Sequence, residues 1–267
     1  AVIGSIQIVQ NPSLLQSVSG LIIGQNVGSD IFQQSFILAT VGLIGTIIVV
    51  KKDLMKEVGA LIAGAVLVLL FSLGGTINRV EGAIMLLAYA GYIYYLSIHK
   101  GNTKIHEKDR LSHQKIAFHG LLIAAGFIVM GFAADRVLGS AEILVSQLPV
   151  SASFFGVILL GVASALPELT TAVVAIFKKQ KGISAGVLIG SNITNPLLGL
   201  GLGSLISTYA VPNVVTYYDL PFKIGTALLI YYFLTQNEKL SKSEAIVLLC
   251  LFAIYLFARH MFFPVDF

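Results

Sequence analysis

Glu168 is a lone carboxylate inside a long apolar stretch. It follows Pro167 in GVASALPELTTAVVAIF, residues 161–177, which contain no other acid and no Lys or Arg. Removing a carboxylate from water without a partner is costly, and ionisable residues in such segments bind a substrate or form an ion pair. Because no cation lies in the same segment, a functional role for Glu168 is favoured over a structural ion pair.

The residues around Glu168 predict a set of oxygen ligands. Ser164 lies four residues earlier and therefore shares one helix face with Glu168. Pro167 has no N–H, so one backbone carbonyl a turn earlier loses its helical partner. In the next apolar segment, Ser191 and Asn195 are also four residues apart. Hydroxyl, carboxylate, carbonyl and amide oxygens are hard ligands, which suit Na⁺ or Ca²⁺ better than a softer metal.

The composition places these residues in a polytopic membrane protein. The chain has 267 residues, of which 56% are hydrophobic and 11% charged, and its mean hydropathy is +0.89. Soluble domains contain about 25% charged residues. A membrane-spanning helix needs about 20 apolar residues. The charged residues divide the chain into eight such segments: 19–49, 57–76, 80–98, 116–138, 152–177, 183–208, 217–235 and 243–261.

The cations are distributed unevenly between alternate loops. Of the 17 Lys and Arg residues, thirteen fall in loops 50–56, 99–115, 178–182 and 236–242, and the other four are Arg79, Arg136, Lys223 and Arg259. The positive-inside rule makes the thirteen-cation side cytoplasmic. The net charge of +4 therefore follows membrane topology and does not indicate a nucleic-acid partner. We expect an integral, multi-pass protein of the cell membrane whose surroundings are the lipid bilayer.

An internal repeat relates the two halves of the chain. GLIIGQNVGSDIFQQ, residues 20–34, matches GISAGVLIGSNITNP, residues 182–196, at an offset of 162. Ser29 and Gln33 are the counterparts of Ser191 and Asn195. Asp30, next to Ser29, is either a second site carboxylate or a buried acid kept protonated. Five predicted helices separate equivalent positions, so the copies have opposite orientations, which is typical of transporters that bind their substrate where the copies meet.

The repeat also predicts the domain organisation. Residues 116–267 form a complete second repeat of five helices, residues 99–115 a cytoplasmic linker, and residues 1–98 a first repeat with only three helices. We expect the two missing helices upstream of Ala1, which gives ten helices in full. Four acids occupy equivalent helix starts, where a carboxylate favours the positive end of the helix dipole: Asp53, Glu81, Asp219 and Glu244.

The paired motifs resemble those of a known superfamily. ASALPEL and GVLIGSNITNPLLGLG, residues 163–169 and 186–201, resemble the second α-repeat of the cation/calcium antiporter superfamily, which includes the sodium/calcium exchangers of prokaryotes. GQNVGSDIFQQ, residues 24–34, resembles the later half of the first α-repeat. The resemblance implies an all-α membrane protein of two inverted five-helix repeats. It also implies a secondary antiporter that exchanges Ca²⁺ for Na⁺, H⁺ or K⁺-assisted Na⁺ by alternating access, without a cofactor.

The resemblance also implies roles for individual residues. Glu168 is one of two central ion-binding glutamates, and its companions are Ser164, Ser191, Asn195, Ser29 and Gln33. Ala165 stands where the family has Ser, and Asp30 where it has Asn. These differences leave the counter-ion open, and an H⁺/cation exchanger with another main substrate or a passive cation channel remains an alternative. An enzyme is not expected, because the predicted spans contain no Ser–His, Asp–Asp or HExxH arrangement.

Overall fold

The computed structural model describes residues 1–45, 51–99, 113–178, 181–237 and 239–266. Residues 100–112 of the predicted linker 99–115 lie outside this described part. The fold is all-α. The helices are α1 Val2–Gln10, α2 Leu15–Phe32, α3 Leu38–Ile44, α4 Lys51–Ser72, α5 Arg79–His99, α6 His113–Gln147, α7 Ala152–Phe155, α8 Gly161–Phe177, α9 Lys181–Thr194, α10 Gly201–Ile206, α11 Leu220–Asn237 and α12 Lys242–Phe262.

Each of the eight predicted apolar segments is helical over most of the residues that the structure describes. Within the described part of the chain, five helical stretches are long and apolar enough to cross a membrane: Pro12–Ile44, Arg79–Ile98, Ala117–Gln147, Ala152–Phe177 and Lys242–Phe262. The boundaries differ most in two places. The segment predicted as 116–138 continues as a helix to Gln147, and the N-terminal stretch, predicted as a tail and a loop, contains the short helix Val2–Gln10.

Wider π turns interrupt three of the long helical stretches. Gln33–Ile37 joins α2 to α3, Gly156–Leu160 joins α7 to α8, and Asn195–Leu200 joins α9 to α10. Two of these turns therefore begin at equivalent positions of the predicted repeat, since Gln33 and Asn195 are 162 residues apart. π turns are rare and frequently occur at functional sites.

Several contacts hold the loops of one end of the molecule together. The short strands β1, Thr76–Ile77, and β2, Tyr209–Ala210, pair antiparallel. Strand β1 follows α4 and strand β2 follows α10. These two helices are not counterparts in the predicted repeat, whose offset is 162 residues. At the same end, Ser151 N donates a hydrogen bond of 3.0 Å to the Pro264 carbonyl. These contacts bring the ends of α4, α10 and α12 next to the beginning of α7.

The central helix, α2, crosses the α7–α8 stretch with its backbone in direct contact. A Cβ added to Gly24 would lie 2.5 Å from the Ser153 carbonyl oxygen, and one added to Gly28 would lie 2.5 Å from Val157 Cα. From the other side, a Cβ on Gly156 would lie 2.6 Å from the Leu21 carbonyl oxygen. Small residues let transmembrane helices approach this closely, so the glycines bring α2 and α8 close together.

Two cations that the sequence pattern placed near loops are in fact buried. Lys223 lies within α11 and Arg259 within α12, and neither side chain is exposed. Asp219 was predicted to favour a helix start. Its Oδ1 atom instead lies 3.2 Å from Arg259 Nε and accepts a hydrogen bond of 2.7 Å from the Tyr255 hydroxyl. A buried charge needs a partner of opposite sign, and each cation has one. The prediction of a helix-start role is correct for Glu81, which accepts a bond of 2.7 Å from Asn78 N.

Candidate cation-binding site

A cavity of about 310 Å³ lies between the two predicted repeats. Helices α2 and α8, the α9–α10 stretch and Ala1 form its walls. Its polar lining residues are Gln25, Asn26, Ser29, Ser164, Glu168, Thr194 and Asn195. Four of the seven residues predicted for the site therefore line one cavity: Ser29, Ser164, Glu168 and Asn195. A larger neighbouring cavity of about 610 Å³ has a mainly apolar lining without an acid, so the smaller cavity is the candidate site.

Glu168 contributes the one carboxylate of this cavity. Its Oε2 atom is buried and has no hydrogen-bond partner among the described residues. The buried ion pairs Lys223–Asp30 and Arg259–Asp219 involve other residues. Buried polar atoms almost always have a partner, and an exception requires an explanation. A cation in the cavity would provide both the missing contact and the missing charge.

The two serines present hydroxyl oxygens with free lone pairs. Ser164 donates its hydrogen to the Gly161 carbonyl at 2.9 Å, which leaves both lone pairs of the hydroxyl oxygen unused. Ser29 accepts a bond of 3.1 Å from Gln33 Nε2, which leaves one lone pair. Ser164 and Glu168 lie on one face of α8, as their spacing predicted. Both serines can therefore act as neutral ligands of a cation.

Asn26 is a lining residue that the sequence interpretation missed. Its Nδ2 atom donates a bond of 2.7 Å to the Asn195 carbonyl, and its Oδ1 atom is buried without a hydrogen-bond partner in the described part of the chain. Asn26 precedes Ser29 by three residues and Gln33 by seven. This spacing places the three side chains on one helix face and could have identified Asn26 from the sequence.

Gln33 and Ser191 meet, but they lie beside the cavity and do not line it. Gln33 Oε1 accepts hydrogen bonds from the Ser191 hydroxyl and, at 2.9 Å, from Asn192 Nδ2. Gln34 Nε2 donates to Asn192 Oδ1 at 2.8 Å and its Oε1 accepts from the Thr226 hydroxyl at 2.9 Å. These five side chains form a hydrogen-bonded layer between the two repeats. Because Gln33 Nε2 donates a hydrogen bond to the Ser29 hydroxyl, the layer also orients Ser29.

Asp30 has a lysine partner that neither of its two sequence interpretations included. It is fully buried and does not line the cavity. Its Oδ2 atom lies 2.5 Å from Lys223 Nζ, and its Oδ1 atom accepts a bond of 3.0 Å from Asn195 Nδ2. Within the described residues, no group of three or more His, Cys, Asp and Glu could hold a metal ion. The candidate site therefore combines one acid with neutral oxygens.

The sequence matches a protein family along most of its length. The family model described as sodium/calcium exchanger protein matches residues 8–98 and 118–261. The chain belongs to this family. The matched regions contain Glu168 and all the other predicted site residues. The family and the fold are those of transporters rather than enzymes, and the chain is an integral multi-pass membrane protein that exchanges cations.

Three proteins illustrate the sequence similarity of this chain to membrane proteins of other organisms. An uncharacterized membrane protein of Methanocaldococcus jannaschii is 24% identical over 91% of this chain and 78% of its own length. The inner membrane protein YrbG of Escherichia coli is 29% identical, but the match covers 51% of this chain and 41% of YrbG. The sodium/calcium exchanger MaX1 of Methanosarcina acetivorans is 28% identical over 51% of this chain and 38% of its own length.

A solved structure has the same fold. The sodium-calcium exchanger NCX_Mj, soaked with 10 mM Na⁺ and zero Ca²⁺, superposes with a TM-score of 0.65 at 24% identity. The superposition covers 97% of this chain and 84% of NCX_Mj. The likeness confirms the predicted all-α membrane architecture.

Proposed function

We propose that this protein is a secondary antiporter that exchanges Ca²⁺ for Na⁺ or H⁺ across the cell membrane by alternating access. The observation that carries the proposal is the unpartnered, buried Oε2 atom of Glu168 in a cavity lined by neutral oxygens. MaX1 and NCX_Mj, which are both named sodium/calcium exchangers, support this choice of ions.

Glu168 supplies the negative charge of the site. Ca²⁺ binds six to eight oxygens, at about 2.3–2.6 Å. The hydroxyls of Ser164 and Ser29 and the amide oxygens of Asn195 and Asn26 replace water around the ion. Neutral oxygens cannot balance a double charge in a low-dielectric environment, so Glu168 is indispensable while each neutral ligand is replaceable.

The two copies of the repeat provide the moving parts. We propose that residues 1–98 and 116–267 are inverted repeats joined by a cytoplasmic linker, 99–115. The π turns that begin at Gln33 and Asn195 support this assignment because they occur at equivalent positions. The cavity lies at the contact between the copies, so rocking of one copy against the other would expose it to each side in turn.

The cavity lies on the side of the site that faces the paired strands β1 and β2. Ile22 and Gln25 line it and precede Ser29 on α2, while Leu198 and Leu202 line it beyond Asn195. On the opposite side, the hydrogen-bonded layer around Gln33 separates it from the other end of the molecule. With the cation-rich loops in the cytoplasm, the described conformation would be open toward the outside.

Radioactive Ca²⁺ uptake into proteoliposomes tests the proposal. Vesicles that contain the purified protein are loaded with Na⁺, with choline, or with acidic buffer, and are then diluted into medium with ⁴⁵Ca²⁺. An antiporter accumulates Ca²⁺ only when a Na⁺ or H⁺ gradient is present, and the uptake saturates. Equal uptake in all three vesicle types would indicate a channel, and uptake that excess Mg²⁺ abolishes would indicate another main substrate.

A further inference from the structure

We propose that the ammonium group of Lys223 is a tethered cation that permanently occupies a cation-binding position at Asp30. In this view Asp30 does not bind a transported ion, and the protein exchanges one monovalent cation fewer than it would with a neutral residue at position 223. The inference rests on the proposed function and extends it to the number of ions that the site holds.

The geometry of the pair is that of an occupied site. Asp30 on α2 and Lys223 on α11 are both fully buried, and Lys223 Nζ lies 2.5 Å from Asp30 Oδ2. The second carboxylate oxygen, Oδ1, accepts the bond from Asn195. Both oxygens of Asp30 are therefore engaged. Without the ammonium, Oδ2 would be a buried anionic oxygen with the same need for a cation as Glu168 Oε2.

Asn195 connects this pair to the cavity. Its Nδ2 must point toward Asp30, because a carboxylate only accepts hydrogen bonds, so its Oδ1 is the atom left for a cation. Glu168 lines the cavity together with Asn195 and with Ser29, the residue next to Asp30. A charge change at Asp30 or Lys223 is therefore transmitted to the cavity, both through Asn195 and through a medium of low dielectric constant.

The second copy of the repeat has a neutral residue at the equivalent position. Asn192 is the counterpart of Asp30, and it bonds to Gln33 and Gln34 without a cation. The Asp30–Lys223 pair is also neutral as a unit. Buried ion pairs are frequently no more stable than well-packed neutral residues, so fold stability alone does not account for the pair. Charge cancellation at the site does account for it.

Three variants separate a tethered cation from a purely structural pair. Lys223→Met removes the ammonium and frees Asp30. Asp30→Asn, which copies Asn192, leaves the ammonium without a counter-charge. The double variant Asp30→Asn/Lys223→Met is neutral, as the wild type is. All three are measured in the proteoliposomes described above, and the purified proteins are also melted in NaCl and in choline chloride.

We expect Lys223→Met to bind an additional Na⁺. NaCl then raises its melting temperature, relative to choline chloride, by more than it raises that of the wild type. The dependence of Ca²⁺ uptake on Na⁺ becomes steeper, and the charge moved per Ca²⁺ changes by about one elementary charge. Asp30→Asn raises the Ca²⁺ concentration for half-maximal uptake by about tenfold or more. The double variant returns the response to NaCl, the steepness of the Na⁺ dependence and the charge per Ca²⁺ to their wild-type values.

The proposal is overturned if Lys223→Met shows the wild-type response to NaCl and the wild-type charge per Ca²⁺. If Lys223→Met does not fold, the double variant decides: a changed steepness of the Na⁺ dependence, or a changed charge per Ca²⁺, contradicts the proposal. A wild-type protein that carries no Ca²⁺ refutes the proposed function instead. The melting experiment stays interpretable in that case, because it needs no Ca²⁺ transport.

Discussion

Gly28→Ala tests whether the close contact between α2 and the α7–α8 stretch builds the site. The new Cβ would lie 2.5 Å from Val157 Cα and 2.7 Å from the Val157 carbonyl carbon. These are backbone atoms, so no side-chain rotation can relieve the overlap. Carbon atoms in contact are normally separated by about 3.5–4.0 Å, so the two helices must move apart by ~1 Å or more.

The displacement acts directly on the ligands. Ser29 is the next residue on α2, and Ser164 and Glu168 follow Val157 on the opposing helix. Overpacking costs about 1–3 kcal/mol, while Gly→Ala in a helix contributes up to about 1 kcal/mol of stabilisation. The net loss of stability is therefore between about 0 and 3 kcal/mol. Ca²⁺–oxygen distances lie between about 2.3 and 2.6 Å, so a shift of ~1 Å removes ligands from one side of the ion.

We expect Gly28→Ala to fold but to need about tenfold or more Ca²⁺ for half-maximal uptake, which corresponds to about 1.4 kcal/mol or more of binding energy. The assay is ⁴⁵Ca²⁺ uptake into proteoliposomes, with the melting temperature as a measure of folding. Gly91→Ala is the matched control, because Gly91 lies within α5 and a Cβ there meets no described atom within 4 Å. A Gly28→Ala protein with wild-type Ca²⁺ affinity would refute the reasoning.

Three further predictions concern the membrane topology, the Arg259–Asp219 ion pair and the ligand Asn26. In a cysteine-free background, an impermeant thiol reagent added outside labels Asn213→Cys but not Lys104→Cys, and the reverse pattern overturns the topology. Arg259→Met leaves Asp219 buried without its cation and destabilises the fold by about 3–5 kcal/mol; the melting temperature in detergent falls, and Asp219→Asn in the same protein restores part of it. Asn26→Ala removes one neutral ligand, so Ca²⁺ uptake becomes weaker but is retained; unchanged affinity contradicts its place in the site.

The sequence was sufficient for features that depend on local periodicity. Apolar runs of spanning length predicted every long helix, and the spacing of four residues predicted that Ser164 and Glu168 share one face. The short helix Val2–Gln10 was missed because it is not bounded by charged residues. The extension of α6 to Gln147 was missed because the charges of Asp135 and Arg136 interrupt the apolar run near residue 138, whereas both residues lie within the helix.

Features that depend on contacts between the repeats could not be predicted in the same way. Lys223 lies near the start of its helix, where a cation usually reaches water, and its partner Asp30 is 193 residues away in the chain. The match at an offset of 162 placed both Gln33 and Ser191 in the predicted set of ligands. It did not indicate that they bond to each other beside the cavity, because side-chain pairing depends on how closely the copies pack.

The most direct test of the account compares Glu168→Gln with Glu142→Gln in Na⁺-loaded proteoliposomes. Both substitutions remove one negative charge and keep the side-chain shape. Glu142 lies outside the cavity, where it accepts a bond of 2.9 Å from the Ser17 hydroxyl. We expect the Glu142→Gln protein to take up ⁴⁵Ca²⁺ as the wild type does. We expect the Glu168→Gln protein to take up none while it remains folded and inserted. A folded Glu168→Gln protein that exchanges Ca²⁺ at the wild-type rate would contradict the account.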